Sequence, residues 1–147
     1  MRLCPLLAVA ALCACLSPAY AAPTPVQAAT CVAALKSRAE PLAERVRKGD
    51  AAAEAQLLPV VTDSFAFIGT SYKQGVESAE AKELLKAAEA KQATMPPAEL
   101  AKVQDACQVE GKQLLAQASG FERMFVWHAA RSRIEKLKKR PEGNERN

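Results

Sequence analysis

The chain has 147 residues and a formal net charge of +4, which suits one domain and is too short for two of ordinary size. Its single histidine argues against His-based metal sites and Ser-His triads. The charge is uneven, because residues 22–122 carry 11 basic and 13 acidic side chains whereas residues 123–147 carry 8 basic and 3 acidic ones.

Residues 1–21 have the three parts of a secretory signal peptide. Arg2 supplies the positive charge, and an apolar run from Leu3 to Leu16 follows it. Pro18 then breaks the run before the small residues Ala19 and Ala21. This order predicts cleavage after Ala21 and a periplasmic or secreted protein, because the run is too short to span a bilayer. The alternative is a buried first helix of a cytosolic domain.

A second processing route competes with that cleavage. The segment Leu12-Cys13-Ala14-Cys15 has the apolar and small residues that precede a lipidated cysteine. Cys13 is unusual in that position, and the apolar stretch before Cys15 is short. Lipid anchoring at Cys15 is therefore the minority alternative.

Residues 22–140 are expected to form one helical domain, since the segment is rich in Ala, Leu, Glu, Gln and Lys and its apolar residues recur at three-and-four spacing. Thr24, Pro25 and Gln27 predict a capping box at the start of a first helix that ends at Gly49. A kink or brief break is expected near Pro41. The predicted buried stripe is Ala28, Val32, Leu35, Ala39, Leu42 and Val46.

The second helix is expected from Ala51 to about Gln74, with Asp50 as its cap and a bend at Pro59. Its predicted stripe is Leu57, Val61, Phe65, Ile68 and Tyr72. Ser78 is expected to cap a shorter third helix, which buries Ala81, Leu84, Leu85 and Ala88.

A fourth helix is predicted to open at Pro97, with Leu100, Val103, Cys107, Leu114 and Ala118 on one side. A second capping box at Ser119-Gly120-Phe121-Glu122 indicates a kink or a restart. The last helix should continue to about Arg140, and residues 141–147 are expected to be a disordered tail. The fold class is therefore all-α, a small antiparallel bundle of four to five helices.

Cys31 and Cys107 are the two cysteines that remain after the predicted cleavage. In an oxidising compartment they predict one disulfide, which would staple the first helix to the fourth. The alternative is a pair of buried free thiols.

Catalytic chemistry is not indicated. His128 is the only histidine and is expected to be a packed residue. Asp105 and Glu110 are five positions apart, so they point in different directions on one helix. The sequence also has no haem-attachment motif and no phosphate-binding glycine loop. We therefore expect no enzyme activity, no cofactor and no metal site.

The last helix offers two candidate surfaces. Trp127, Ile134 and Leu137 lie on a different arc from Phe121, Met124, Phe125 and His128, so they either pack on a second neighbour inside the bundle or bind a protein partner or a second copy. The second surface is basic and could contact an anionic membrane or simply complement the helix dipole. Its residues are Arg131, Arg133, Lys136, Lys138, Lys139 and Arg140.

A third candidate is the segment 65–72. Phe65, Ile68 and Tyr72 are core by spacing, Phe67 lies off their arc, and Gly69 would allow a close helix approach. The segment either packs in the core or lines an apolar ligand slot between helices. The sequence thus predicts an exported, non-enzymatic protein that binds another protein as an inhibitor, immunity protein or adaptor. The alternative is a small carrier of an apolar ligand. Nucleic acid is not expected as a partner, because an exported protein does not routinely meet it.

Overall fold

The computed structural model describes residues 21–139. Residues 1–20 of the predicted signal peptide, Arg140 and the predicted tail 141–147 lie outside this range. The described part of the chain folds into α-helices without any strand, which confirms the all-α prediction. The five helices are α1 (Pro25–Arg47), α2 (Ala51–Lys73), α3 (Ser78–Gln92), α4 (Pro97–Gln117) and α5 (Gly120–Lys138).

Two capping boxes start helices where the sequence predicted them. The side-chain oxygen of Thr24 accepts the backbone N–H of Gln27, whose own side chain accepts the N–H of Thr24. Ser119 and Glu122 repeat this exchange, so α5 is a separate helix after α4. Each exchange satisfies two N–H groups that a helix start would otherwise leave unpaired.

The other boundaries follow partly from the sequence. The carboxylate of Asp50 accepts the N–H of Ala53 at the start of α2, as predicted. Ser78 is wrong as a cap, because it is the first residue of α3 and Glu77 occupies the cap position without a capping side-chain bond. Pro41 and Pro59 both lie inside continuous helices, so the break allowed near Pro41 does not occur.

The two longest helices, α1 and α2, pack antiparallel at the centre of the bundle. The amide of Gln74, at the end of α2, donates to the carbonyl of Pro23 beside the start of α1, at 2.8 Å. α3 packs on α1, whereas α4 and α5 pack on both central helices. α5 runs antiparallel to α2, since Lys138 binds Glu54 and Glu122 binds Lys73.

The core has two clusters along α1. The first surrounds the disulfide and comprises Ala28, Cys31, Ala34, Leu35, Val60, Phe67 and Cys107. The second joins the end of α1 to α2 and α5 and comprises Val46, Ala53, Leu57 and Ile134. These clusters confirm the stripe predicted for the first helix, whose members are all buried or packed against them.

The predicted disulfide is present. Cys31 and Cys107 are bonded, with their Cα atoms 5.2 Å apart and a sequence separation of 76 residues. In the chain-entropy model a loop of this length stabilises the fold by about 4 kcal/mol. The alternative of two buried free thiols is therefore wrong.

The stripe predicted for the second helix is wrong in its second half. Ile68 and Tyr72 are exposed, whereas Phe67 is fully buried. The buried side of α2 instead includes Leu57, Val60 and Phe67, because α4 and α5 pack against α2 on a different side from the predicted one. Spacing alone could not show which side these later helices would cover.

Candidate functional site

The structure separates the three residues of the predicted partner-binding stripe. Ile134 is only 2% exposed and packs with Val46, Ala53 and Leu57, while Leu137 packs against the same cluster. Of the two options that the sequence left open, these two residues therefore follow the first, because they pack on a second neighbour inside the bundle. Trp127 differs from them, since it is 40% exposed.

The residues of the predicted basic surface have different surroundings. Lys138 binds the carboxylates of Glu54 and Glu135, which raises its pKa above the usual value for lysine, Glu54 having the larger effect. The side chain of Arg133 lines a groove against α1 and α2. Arg131, Lys136 and Lys139 are exposed, and Arg140 lies outside the described residues.

An open groove lined by aromatic side chains runs between the second half of α2, the end of α4 and the start of α5. Its volume is about 620 Å³. Tyr72, Phe121 and Phe125 form its rim and are 81%, 73% and 67% exposed. We call it the aromatic groove; its apolar floor is formed by Ala66, Gly69, Leu114, Leu115, Ala118 and Val126.

An ion pair crosses one edge of the aromatic groove. The ammonium of Lys73 on α2 binds the carboxylate of Glu122 on α5. This lysine and the N–H and hydroxyl groups of Ser119 hold the pKa of Glu122 at about 2. Glu122 therefore stays ionised at physiological pH, and this ion pair links the start of α5 to the end of α2 at the protein surface.

A second apolar cavity of about 950 Å³, as open to solvent as the aromatic groove, lies between α1, the end of α2 and α3. Ala29 and Val32 line it from α1, Ile68 from α2, and Leu84 and Leu85 from α3. We call it the three-helix cavity. Part of the 65–72 segment lines this cavity. Gly69 has no close helix neighbour, because a Cβ placed on it would meet nothing within 4 Å.

A buried carboxylate lies at the junction of α2 and α4. Asp63 is 2% exposed, and its Oδ2 atom has no hydrogen-bond partner in the described part of the chain. Gly111 faces it so closely that a Cβ on this glycine would lie 2.7 Å from the Cβ of Asp63. Burial raises the pKa of Asp63 to about 6, and the positive charge of Lys112 opposes that effect.

Sequence reasoning missed Asp63 and Gly111. The available signals were an acidic residue within the apolar part of α2 and a glycine in the interior of a helix, where glycine costs about 1 kcal/mol relative to alanine. Neither signal identifies the partner helix, so only packing brings the two residues together.

Trp127 lies between two arginines on the outer side of α5. The guanidinium of Arg131 lies over the indole ring, 4.7 Å from its centroid, and Arg123 lies one turn before the tryptophan on the same side. His128 contacts the indole edge-on, with ring centroids 5.1 Å apart. His128 is exposed, so the expectation of a packed histidine is wrong.

The carboxylates considered for catalysis do not form a shared site. Asp105 binds Arg38 on α1 at 2.6 Å, and its side chain is largely exposed. Residues 21–139 contain no cluster of three or more His, Cys, Asp or Glu side chains that could hold a metal ion. Within the same range, no helix has both the length and the apolar character needed to cross a membrane.

Comparison with known proteins adds no functional assignment. No protein-family model, curated protein or solved structure matches the chain.

Proposed function

We propose that the chain is an exported, non-enzymatic protein that binds another protein through the aromatic groove, as an inhibitor, immunity protein or adaptor does. The observation that carries this proposal is the exposure of Tyr72, Phe121 and Phe125 around an apolar floor. Exposed aromatic side chains at the edge of a groove are typical of protein-binding sites, because they bury a large apolar area at little cost in side-chain entropy.

The groove has the features that a protein segment needs. The ion pair between Lys73 and Glu122 links two of its walls, α2 and α5. Its third wall comes from α4, which the disulfide joins to α1. We infer that a helix or loop of a partner inserts an apolar side chain between Phe121 and Phe125.

Export is part of the same proposal. The order of charged, apolar and small residues in 1–21 supports signal-peptide cleavage after Ala21. The bond between Cys31 and Cys107 agrees with an oxidising compartment.

Site-specific photocrosslinking tests the groove directly. A photoreactive phenylalanine analogue is introduced at Phe125 in the mature chain, and in a second variant at Val109, which is an exposed apolar residue on α4 outside the groove. Irradiation in envelope extract should give a discrete adduct from position 125 and none of that mass from position 109.

Substitution supplies the matched control. Phe125→Ser should abolish the adduct formed by an analogue at position 121, whereas Val109→Ser should leave it unchanged. An adduct at twice the mass of the chain would identify a second copy as the partner. The proposal fails if positions 125 and 109 give the same adducts, or if neither gives any.

A carrier of an apolar ligand is the second candidate, and the three-helix cavity favours it. A volume of about 950 Å³ lies within the range of small-molecule sites. Native mass spectrometry of the purified chain should then show a bound small molecule. Ala81→Glu, which places a charge in the cavity, should remove it, while Ala87→Glu on the exposed side of α3 should not. A chain of bare mass in all three samples contradicts this function.

A further inference from the structure

The outer side of α5 carries a row of three side chains that belongs neither to the core nor to the aromatic groove. Arg123, Trp127 and Arg131 are spaced four residues apart, so they follow one side of the helix over about 12 Å. None of them lines the groove, whose α5 wall is formed by Phe121, Glu122, Phe125 and Val126. We call these three residues the Trp127 row.

The helix that carries this row has an excess of positive charge. Residues 120–139 contain six basic and two acidic side chains. Glu122 is bound by Lys73 and Glu135 by Lys138, so both carboxylates already have cationic partners. Within the described residues neither Arg123 nor Arg131 forms an ion pair. The row therefore presents two guanidinium groups to an anionic partner.

The apolar part of the same surface is suited to an interface between water and lipid. Trp127 is partly exposed, and Met124 beside it is exposed as well. Tryptophan prefers the headgroup region of a bilayer, because its ring is apolar and its N–H is polar. The stacking of Arg131 on the indole holds a cation directly beside the ring.

We propose that the Trp127 row docks the protein onto an anionic phospholipid bilayer. The two guanidinium groups contact lipid phosphates, and the indole lies at the headgroup boundary. A bilayer fits this row better than a protein does, because the three side chains follow the convex outer side of one helix and enclose no pocket. The proposal does not depend on a partner in the aromatic groove.

The protein contains its own reporter for this contact, because Trp127 is its only tryptophan. The mature chain is mixed with vesicles of phosphatidylglycerol and phosphatidylcholine in equal parts, and with vesicles of phosphatidylcholine alone, at low and moderate salt. Binding to the anionic vesicles should shift the tryptophan emission to shorter wavelength and sediment the protein. Raising the salt should weaken the binding. Phosphatidylcholine alone should do neither.

Two double variants measure the role of the row. Arg123→Ala with Arg131→Ala should lower the partition coefficient onto anionic vesicles about 25-fold, since each basic residue near a charged membrane contributes about fivefold. Lys86→Ala with Lys102→Ala removes the same charge from exposed positions on α3 and α4 and should lower it less than about twofold. Circular dichroism establishes that both variants fold.

Three results overturn the proposal. One is the absence of sedimentation with anionic vesicles at low salt, which is also the outcome expected if the row binds an acidic protein instead. The second is an equal loss of binding in the two double variants. The third is sedimentation without a change in tryptophan emission, which would place the lipid contact elsewhere. The vesicle assay uses the purified chain without any other protein, so these results are independent of the proposed protein-binding function.

Discussion

Replacing Asp63 with asparagine tests whether a buried carboxylate with an unpartnered oxygen limits the stability of this fold. The pKa of Asp63 is about 6 in the folded chain, whereas the ordinary value for an aspartate is 3.8. Each pKa unit corresponds to about 1.4 kcal/mol, so keeping this group ionised in the folded state costs about 3 kcal/mol above pH 6. That is a large share of the 5–15 kcal/mol that typically stabilises a domain.

The direction of the pH dependence follows from the raised pKa. The unfolded chain releases the Asp63 proton at lower pH than the folded chain does. The stabilisation from the protonated form is therefore fully present below pH 3.8 and is lost as the pH rises through 6. We expect the free energy of unfolding of the wild type to fall by about 2 kcal/mol, relative to Asp63→Asn, between pH 4.5 and pH 7.5.

Urea denaturation followed by circular dichroism at several pH values in this range measures the effect. Asp105→Asn is the matched control, because Asp105 is a largely exposed carboxylate whose ion pair with Arg38 contributes at most about 1 kcal/mol. If the free energies of wild type and Asp63→Asn run parallel across the pH range, the carboxylate is not held in the protonated form at acidic pH and the reasoning is wrong.

Three further predictions concern packing. Gly111→Ala should destabilise the fold by about 1–3 kcal/mol in urea denaturation, because the added methyl group overlaps Asp63. Gly69→Ala has open space around it and should be neutral or stabilising. Equal effects of the two substitutions would contradict the close approach of Gly111 to Asp63. Serine at both disulfide cysteines should lower the free energy of unfolding by about 4 kcal/mol, and a loss below about 1 kcal/mol would rule out a stabilising staple. Ile134→Asp should unfold the chain as seen by circular dichroism, while Phe125→Asp on the exposed rim should not; a folded Ile134→Asp variant would show that the end of α5 is not core.

Local signals in the sequence determined most of the helix boundaries. The boxes at Thr24 and Ser119 and the cap at Asp50 depend only on neighbouring residues, so the helices start there whatever packs on them. The stripe of the first helix also held, because α1 contacts each of the other four helices and its apolar residues are therefore covered. The disulfide followed from a cysteine count that left a single pairing.

Tertiary packing decided which side of each later helix is buried. The choice between Phe67 and Tyr72 as core, and between Ile134 and Phe125 as surface, depends on where α4 and α5 settle on α2, and helical spacing carries no information about that. The same packing brings Gly111 against Asp63 across 48 residues of sequence. A pattern that repeats every 3.6 residues defines a face, but only a neighbouring helix decides whether that face is covered or left to bind something else.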